Sequence, residues 1–175
     1  MPEDFFNYAD FYTYVSSFAN FNSFVEVGVY TGASCAFLTR KLVERKTPFQ
    51  MFAVDLWDKV NTETDYDRKI DTSVLDAFTE RMTKADLLRY VLPMQMESAK
   101  AAGMFKHPVD FVFIDASHTY EHVKADIEAW RSKIRRGGML AGHDYGEPCG
   151  VKQAVDELIG DNISLMGTCW YTIIK

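Results

Sequence analysis

Two short segments of the sequence place a carboxylate beside an imidazole, a combination that suits proton transfer or metal binding. Asp115 and His118 follow the apolar run 109–114 and lie three residues apart, so both side chains can face one cleft. His143 and Asp144 form a second pair, directly after another apolar run. Histidine can take a proton at neutral pH, and carboxylate oxygens are ligands for divalent cations. The alternative for Asp115 is a structural role as a helix N-cap.

A third segment, residues 25–34, combines glycines with a buried-strand pattern. Glu26 precedes Gly28 by two residues, and Gly32 stands before a helical pattern. Glycine lets a backbone pass close to a ligand, and the first turn of a helix offers free N–H groups. The Gly-x-x-x-Gly spacing differs from the Gly-x-Gly-x-x-Gly of dinucleotide folds, and a carboxylate here would suit an ammonium group better than a pyrophosphate. An ordinary strand-to-helix turn is the alternative.

Asp55 ends a second apolar run, 51–54. In open parallel sheets, ligands bind outside the carboxyl ends of the strands, where this residue is expected to lie. A carboxylate there can accept hydrogen bonds from both hydroxyls of a ribose. Beside Glu26 and the glycine turn, Asp55 therefore indicates a ribose-containing ligand.

Apolar runs alternate with helical periodicities along most of the chain. Helical spacing occurs in six segments: 4–20, 33–44, 73–83, 98–104, 118–135 and 151–159. Apolar runs typical of strands occur in seven: 24–29, 51–56, 90–94, 109–114, 138–141, 163–166 and 169–174. This alternation predicts right-handed crossovers, and the short gap between the last two strands predicts a hairpin. We expect an α/β fold: a Rossmann-like, doubly wound seven-stranded sheet, mostly parallel with one antiparallel C-terminal strand, and helices on both faces.

Length and composition fit one domain with a helical N-terminal segment, 1–22, and a core, 23–175. The chain has 175 residues, of which 47% are hydrophobic, and no window approaches the roughly 18 apolar residues of a membrane span. A net charge of −6 without a basic stripe argues against a nucleic-acid partner. Three widely spaced cysteines (Cys35, Cys149, Cys169) and a start unlike a signal peptide predict a cytoplasmic protein.

Together, these segments resemble the class I S-adenosylmethionine-dependent methyltransferases. The likeness is greatest to the small-molecule O-methyltransferase branch, with its macrocin-type sugar methyltransferases and cephalosporin-hydroxylase-like proteins. It covers residues 24–175 and rests most on Asp-x-x-His-x-Tyr at 115–120 and His-Asp-Tyr at 143–145. The resemblance implies S-adenosylmethionine as cofactor. It places the methionine part at Glu26, Gly28 and Gly32 and the ribose at Asp55. The implied cofactor residues are Glu26, Gly28, Tyr30, Gly32, Ser34, Asp55, Leu56, Trp57, Met96, Glu97, Ser98 and Asp115, of which 96–98 border the adenine.

The resemblance also bears on catalysis. In metal-using members, the aspartate that matches Asp115 and an acidic pair after the fifth strand bind magnesium, and the histidine that matches His118 is the base. That pair is His143-Asp144 in this sequence, so the implied metal ligands are Asp115, His143 and Asp144. Because histidine replaces a carboxylate, such a site would hold Mg²⁺ less well or favour a softer ion such as Mn²⁺.

The expected function is methylation of a hydroxyl group on a small molecule, such as a sugar, a phenol or a natural product. His118 and Asp115 are the expected catalytic residues. A non-catalytic module that binds the cofactor is an alternative. An NAD-dependent or nucleotide-sugar oxidoreductase is less well supported, because the glycine spacing differs and no Tyr-x-x-x-Lys pair follows the fourth strand.

Several parts of the chain could cover the pocket. The candidates are the N-terminal helix, Trp57, Tyr145, the polar segment 58–72 and a second subunit. A polar connection as long as 58–72 is typical of a lid or substrate loop. A homodimer through the N-terminal helix or the C-terminal hairpin would also close the site.

Overall fold

Strands and helices alternate in the computed structural model, which describes residues 6–57 and 73–175. The strands are β1 (Ser23–Val27), β2 (Gln50–Asp55), β3 (Val91–Gln95), β4 (Val109–Ile114), β5 (Ile134–Gly142), β6 (Ser164–Met166) and β7 (Cys169–Ile173). The α-helices are α1 (Ala9–Ser16), α2 (Ala33–Glu44), α3 (Val74–Lys84), α4 (Ser98–Met104), α5 (Tyr120–Arg131) and α6 (Val151–Leu158). None of the helices in these two ranges is long and apolar enough to cross a membrane.

All of these strands belong to one sheet, in the order β3-β2-β1-β4-β5-β7-β6. The first five strands run parallel, whereas β7 lies antiparallel between β5 and β6. This confirms the predicted seven-stranded sheet with one antiparallel C-terminal strand. The chain leaves β1 toward β2 and later returns to β4 on the other side, so the strand order reverses between β1 and β4. Ligands of doubly wound folds bind at such a point.

The central strand β4 divides the core into two layers. Phe111 and Phe113 pack with residues of α1, α2 and α3. Val112 and Ile114 pack with residues of α4, α5 and α6. Every residue of β4 is buried, which explains why its sequence is an apolar run rather than an alternating pattern. Helices therefore cover both faces of the sheet, as predicted.

Helix α1 is shorter than the predicted 4–20, and residues 1–5 lie outside the described part of the chain. Its buried residues are Phe11, Tyr12 and Val15, which join the core on the Phe111 side. The helical spacing of aromatic residues in the sequence thus identified the buried face correctly.

The predicted helix 118–135 is wrong at both ends, since α5 spans Tyr120–Arg131 and β5 already begins at Ile134. The run of cations after Trp130 is typical of a helix C-terminus, but Arg135 instead pairs with the Asp110 carboxylate. That carboxylate also accepts hydrogen bonds from the backbone N–H groups of Asn22 and Ser23. A tertiary ion pair therefore draws the cationic segment into the sheet.

Phe11→Ala should lower the free energy of unfolding by about 3–5 kcal/mol, because it removes a buried ring and leaves a cavity. The Phe11 ring centroid lies 5.7 to 6.5 Å from those of Phe111, Phe113 and Tyr171. Thr13→Ala, on the exposed side of α1, should change the value by less than about 1 kcal/mol. Urea unfolding measures both. An effect of Phe11→Ala as small as that of the control would show that α1 lies outside the cooperative core.

Candidate active site

The glycine turn after β1 lies directly against the end of β4. Gly28 and Gly32 have φ angles of +83° and +84°, which disfavour other residues. A Cβ atom on Gly28 would lie 2.1 Å from the carbonyl oxygen of Asp115, and one on Gly32 would lie 2.6 Å from the Phe78 ring. The sequence suggested that these glycines make room for a ligand. In the structure they also make room for neighbouring parts of the protein, and Gly28 lets the turn after β1 approach Asp115 closely.

Asp55 organises the same turn from the end of β2. Its Oδ2 accepts hydrogen bonds from the backbone N–H groups of Val29 (2.7 Å) and Tyr30 (2.8 Å). Its Oδ1 accepts a hydrogen bond from the N–H of Trp57 (2.7 Å). The side chain of Leu56, between Asp55 and Trp57 in the sequence, is 39% exposed. A carboxylate oxygen can accept two hydrogen bonds, so Oδ1 retains capacity for a hydroxyl donor. The predicted ribose contact is thus compatible with a structural role that the sequence did not indicate.

Glu26 is fully buried at the end of β1. Its Oε1 accepts a hydrogen bond from the Ser34 hydroxyl, whereas Oε2 has no hydrogen-bond partner in the described part of the chain. Within the same described residues, the buried Tyr12 hydroxyl also has no hydrogen-bond partner. Burial raises the pKa of Glu26 to about 8. An unpaired carboxylate oxygen is costly in the interior, and a cationic ligand group would satisfy it.

Two histidines and two aspartates meet at the ends of β4 and β5, and we call them the acid–histidine cluster. Asp144 lies between the histidines, with its Oδ2 2.9 Å from His118 Nε2 and its Oδ1 3.0 Å from His143 Nδ1. Asp115 Oδ1 lies 3.8 Å from His118 Nε2 and 3.7 Å from His143 Nδ1. The structure therefore brings together all four residues that the sequence singled out for catalysis or metal binding.

Each histidine in the cluster is stabilised as a cation. Interactions with the carboxylates of Asp115 and Asp144 raise the pKa of His118 to about 10. Burial lowers the pKa of His143, but interactions with the same carboxylates outweigh burial and raise it to about 9. Burial likewise opposes the charge of Asp144, and its histidine partners nevertheless hold its pKa well below the ordinary value. Two positive and two negative charges therefore balance at neutral pH.

One set of residues in the cluster has a spacing that could hold a divalent cation. The ligand atoms of Asp115, His118 and Asp144 all lie within 4.8 Å of one another. His143 also contacts both carboxylates, and its Nε2 lies 2.7 Å from the Thr168 hydroxyl. A hydrogen bond on the second ring nitrogen is how proteins orient a metal-binding histidine. The donor set of carboxylate oxygens and one imidazole nitrogen suits Mn²⁺ better than Mg²⁺.

Two residues near the cluster were not identified from the sequence. The Tyr8 hydroxyl donates a hydrogen bond to Asp115 Oδ2 at 2.8 Å, and Thr168 contacts His143. Tyr8 precedes α1 and Thr168 lies in the turn between β6 and β7, so both are far from Asp115 in sequence. Helical periodicity placed Tyr8 on the buried face, but it could not show which polar group the hydroxyl reaches.

The predicted adenine segment lies beside Asp55. The N–H of Met96 donates to the carbonyl oxygen of Asp55 at 3.1 Å, which joins the end of β3 to the end of β2. Ser98 begins α4, and its hydroxyl accepts a hydrogen bond from Trp130 Nε1 at 2.8 Å. Glu97 is exposed and pairs with Lys100. The backbone of this segment thus lies beside Asp55, and the Ser98 hydroxyl serves the packing of α4 on α5.

Comparison with known proteins agrees with this geometry. Residues 25–145, more than half of the chain, match the family described as a methyltransferase domain. The chain belongs to this family. It is an S-adenosylmethionine-dependent methyltransferase, and the matched stretch includes the glycine turn, Asp55 and the acid–histidine cluster.

Solved structures with the same fold include enzymes for different acceptors. CalS11, a calicheamicin methyltransferase, has a TM-score of 0.70 at 14% identity, over 94% of this chain and 76% of its own. An O-methyltransferase from Bacillus cereus in complex with SAH has a TM-score of 0.67 at 17% identity, over 95% and 80%. An rRNA methylase from Streptococcus thermophilus has a TM-score of 0.64 at 14% identity, over 95% and 94%. At these identities the likeness concerns the fold alone.

Glu26→Gln should change how stability depends on pH. The pKa of Glu26 is about 8 in the folded chain and near its ordinary 4.5 when unfolded, so the folded state favours the protonated form. The stabilising contribution is complete below about pH 4.5 and is lost as the pH rises through about 8. Glutamine stays neutral, so the ligand-free variant should gain stability relative to the original chain between pH 5 and 8. Thermal unfolding of both across this range measures the difference, and a constant difference would contradict the assignment.

Proposed function

We propose that this methyltransferase methylates a hydroxyl oxygen of a small molecule, with the cofactor at the glycine turn and the acceptor at the acid–histidine cluster. One observation carries the proposal. The ends of the adjacent strands β1 and β4 bring a buried carboxylate with an unpaired oxygen, Glu26, beside Asp115 and the half-exposed His118. Glu26 suits a cationic ligand group, and Asp115 with His118 suits removal of a proton from an acceptor in the cleft.

The cofactor would extend across the carboxyl ends of β1, β2 and β3. Glu26 Oε2 would accept hydrogen bonds from its ammonium group, and Asp55 Oδ1 would accept one from the ribose. The remaining cofactor residues follow the same strands or border the turn: Gly28, Tyr30, Gly32, Ser34, Leu56, Trp57, Met96, Glu97 and Ser98. When bound, S-adenosylmethionine supplies an electrophilic methyl group on a positively charged sulfur. The protein's main task is then to hold the acceptor oxygen in line with that methyl carbon.

His118 is the residue to which we assign removal of the acceptor proton. Its side chain is 49% exposed, whereas that of His143 is 8% exposed, so a molecule in the cleft can reach His118. The proton passes from the acceptor hydroxyl to the imidazole as the new C–O bond forms. In the ligand-free chain, the carboxylates of Asp144 and Asp115 raise the pKa of His118 to about 10, so the imidazole must lose its proton before it can accept one from the acceptor.

A divalent cation held by these carboxylates would lower the pKa of His118, so that the imidazole would lose its proton. Asp115, Asp144 and His143 are the proposed ligands, with Thr168 orienting His143. A bound cation lowers the pKa of nearby groups and polarises a hydroxyl. His118 would then be neutral at physiological pH and able to act as the base.

A small acceptor fits the charge of the chain better than RNA. The net charge is −6, and a phosphate backbone is attracted by basic surfaces. The fold is shared with an rRNA methylase, so the acceptor must be decided by experiment. Transfer of a labelled methyl group to hydroxyl compounds (sugars, phenols and hydroxy acids) would support the proposal, whereas transfer only to RNA would overturn it.

Removal of the Asp55 charge should weaken cofactor binding. Calorimetric titration of the original chain with S-adenosylmethionine and S-adenosylhomocysteine should show micromolar binding, and Asp55→Asn should reduce the affinity at least about tenfold through loss of a charged acceptor. The amide keeps an oxygen for the turn. Asp86→Ala, which removes an exposed carboxylate paired with Arg89, should leave the affinity unchanged. Equal affinities for the original chain and Asp55→Asn would exclude a ribose at Asp55.

Loss of His118 should affect transfer rather than binding. His118→Ala should leave the affinity for S-adenosylhomocysteine nearly unchanged and lower the rate of methyl transfer at least about a hundredfold. His107→Ala, at an exposed loop position, is the matched control and should retain the rate. A parallel fall in binding and rate would mean that His118 supports the structure of the site and is not the base.

A further inference from the structure

Tyr8 holds the carboxylate around which the acid–histidine cluster is built. We propose that Tyr8 is a positioning residue: its hydroxyl fixes Asp115 so that the other carboxylate oxygen faces the histidines and can bind a divalent cation. This inference rests on the proposed function, in which Asp115 is a cation ligand. It makes the segment that leads into α1 part of the active site.

The geometry separates the two oxygens of Asp115. Its Oδ2 accepts the Tyr8 hydroxyl at 2.8 Å. Its Oδ1 points to the cluster but stands 3.7 Å from His143 Nδ1 and 3.8 Å from His118 Nε2, beyond ordinary hydrogen-bond length. Within the described ranges, Tyr8 is therefore the one residue that hydrogen-bonds the Asp115 side chain.

Asp144 differs from Asp115 in this respect. Both of its carboxylate oxygens contact a histidine nitrogen, at 2.9 Å and 3.0 Å. The final torsion of an aspartate is soft, so a carboxylate without short contacts can rotate. Loss of the Tyr8 hydroxyl would therefore release Asp115, whereas Asp144 would stay in place.

Tyr8 is itself held firmly by aromatic neighbours. Its ring is 7% exposed, and its centroid lies 4.6 Å from that of His143 and 5.0 Å from that of Phe113. Phe6 and Tyr12 pack edge-on at 4.9 Å and 5.2 Å. The ring thus has little freedom, and the position of its hydroxyl is determined by the docking of α1 on the sheet. The contact with His143 places Tyr8 against two proposed cation ligands at once.

A group that hydrogen-bonds a metal ligand typically contributes 10–100-fold to metal affinity. Replacing Tyr8 by phenylalanine removes the hydroxyl and keeps the ring that fills the space beside Phe113 and His143. The variant should therefore fold and bind the cofactor, and it should bind a cation less tightly.

The test is a titration of the full chain with Mn²⁺, with the free ion measured by electron paramagnetic resonance. Tyr8→Phe should raise the Kd for Mn²⁺ at least about tenfold, with S-adenosylhomocysteine affinity and thermal midpoint nearly unchanged. Tyr14→Phe, in α1 with its ring against Phe18 and Tyr171, is the matched control and should not change the Kd. Equal Kd values for the original chain and Tyr8→Phe, or no Mn²⁺ binding to the original chain, would overturn the proposal.

A double-mutant cycle separates positioning from a general structural effect. In an Asp115→Ala background, Tyr8→Phe should cause no further loss of Mn²⁺ affinity, because the hydroxyl then has no carboxylate to hold. A tenfold loss in both backgrounds would assign Tyr8 to packing. The proposed function fails on a different result, absence of S-adenosylhomocysteine binding in the original chain, so the two failures are distinguishable.

Discussion

The close approach of the turn after β1 to the end of β4 is the constraint on which the site depends. Because Gly28 lies against the Asp115 carbonyl group, no side chain separates the two strand ends. Asp55 holds the turn from the other side through backbone N–H groups of Val29 and Tyr30. The carboxylates proposed to bind the ammonium and the cation can therefore share one small region. Any side chain at residue 28 would push them apart.

The carboxylates on the two sides of this close approach, Glu26 at the end of β1 and Asp115 with Asp144 after β4 and β5, have different electrostatic surroundings. Glu26 is buried without a cationic partner in the described ranges, and its pKa rises to about 8. Asp115 and Asp144 are balanced by two histidines, and their pKa values fall. Glu26 therefore suits a positively charged ligand group, whereas Asp115 and Asp144 already lie beside two protonated histidines. A divalent cation would have to replace some of those protons, which couples metal binding to the protonation state of His118.

Much of the site could be predicted from the sequence because it lies at strand ends. Asp55 and Asp115 follow directly after apolar runs, and Glu26 was identified by its position two residues before Gly28. The assembly of these residues follows from a parallel sheet. Tyr8 and Thr168 could not be predicted, since they reach the cluster through the docking of α1 and the turn between β6 and β7. The end of α5 was misplaced for a similar reason: the ion pair between Arg135 and Asp110 is tertiary and outweighs the local helical pattern. The expected lid, 58–72, lies outside the described residues.

A crystal structure of the chain with S-adenosylhomocysteine would test the central claim most directly. The account predicts the ligand across the ends of β1 and β2, with its amino nitrogen about 3 Å from a Glu26 carboxylate oxygen and a ribose hydroxyl at the same distance from Asp55. The sulfur would then face the side of the cleft that His118 lines. A ligand bound elsewhere, or one with its amino group away from Glu26, would contradict the account.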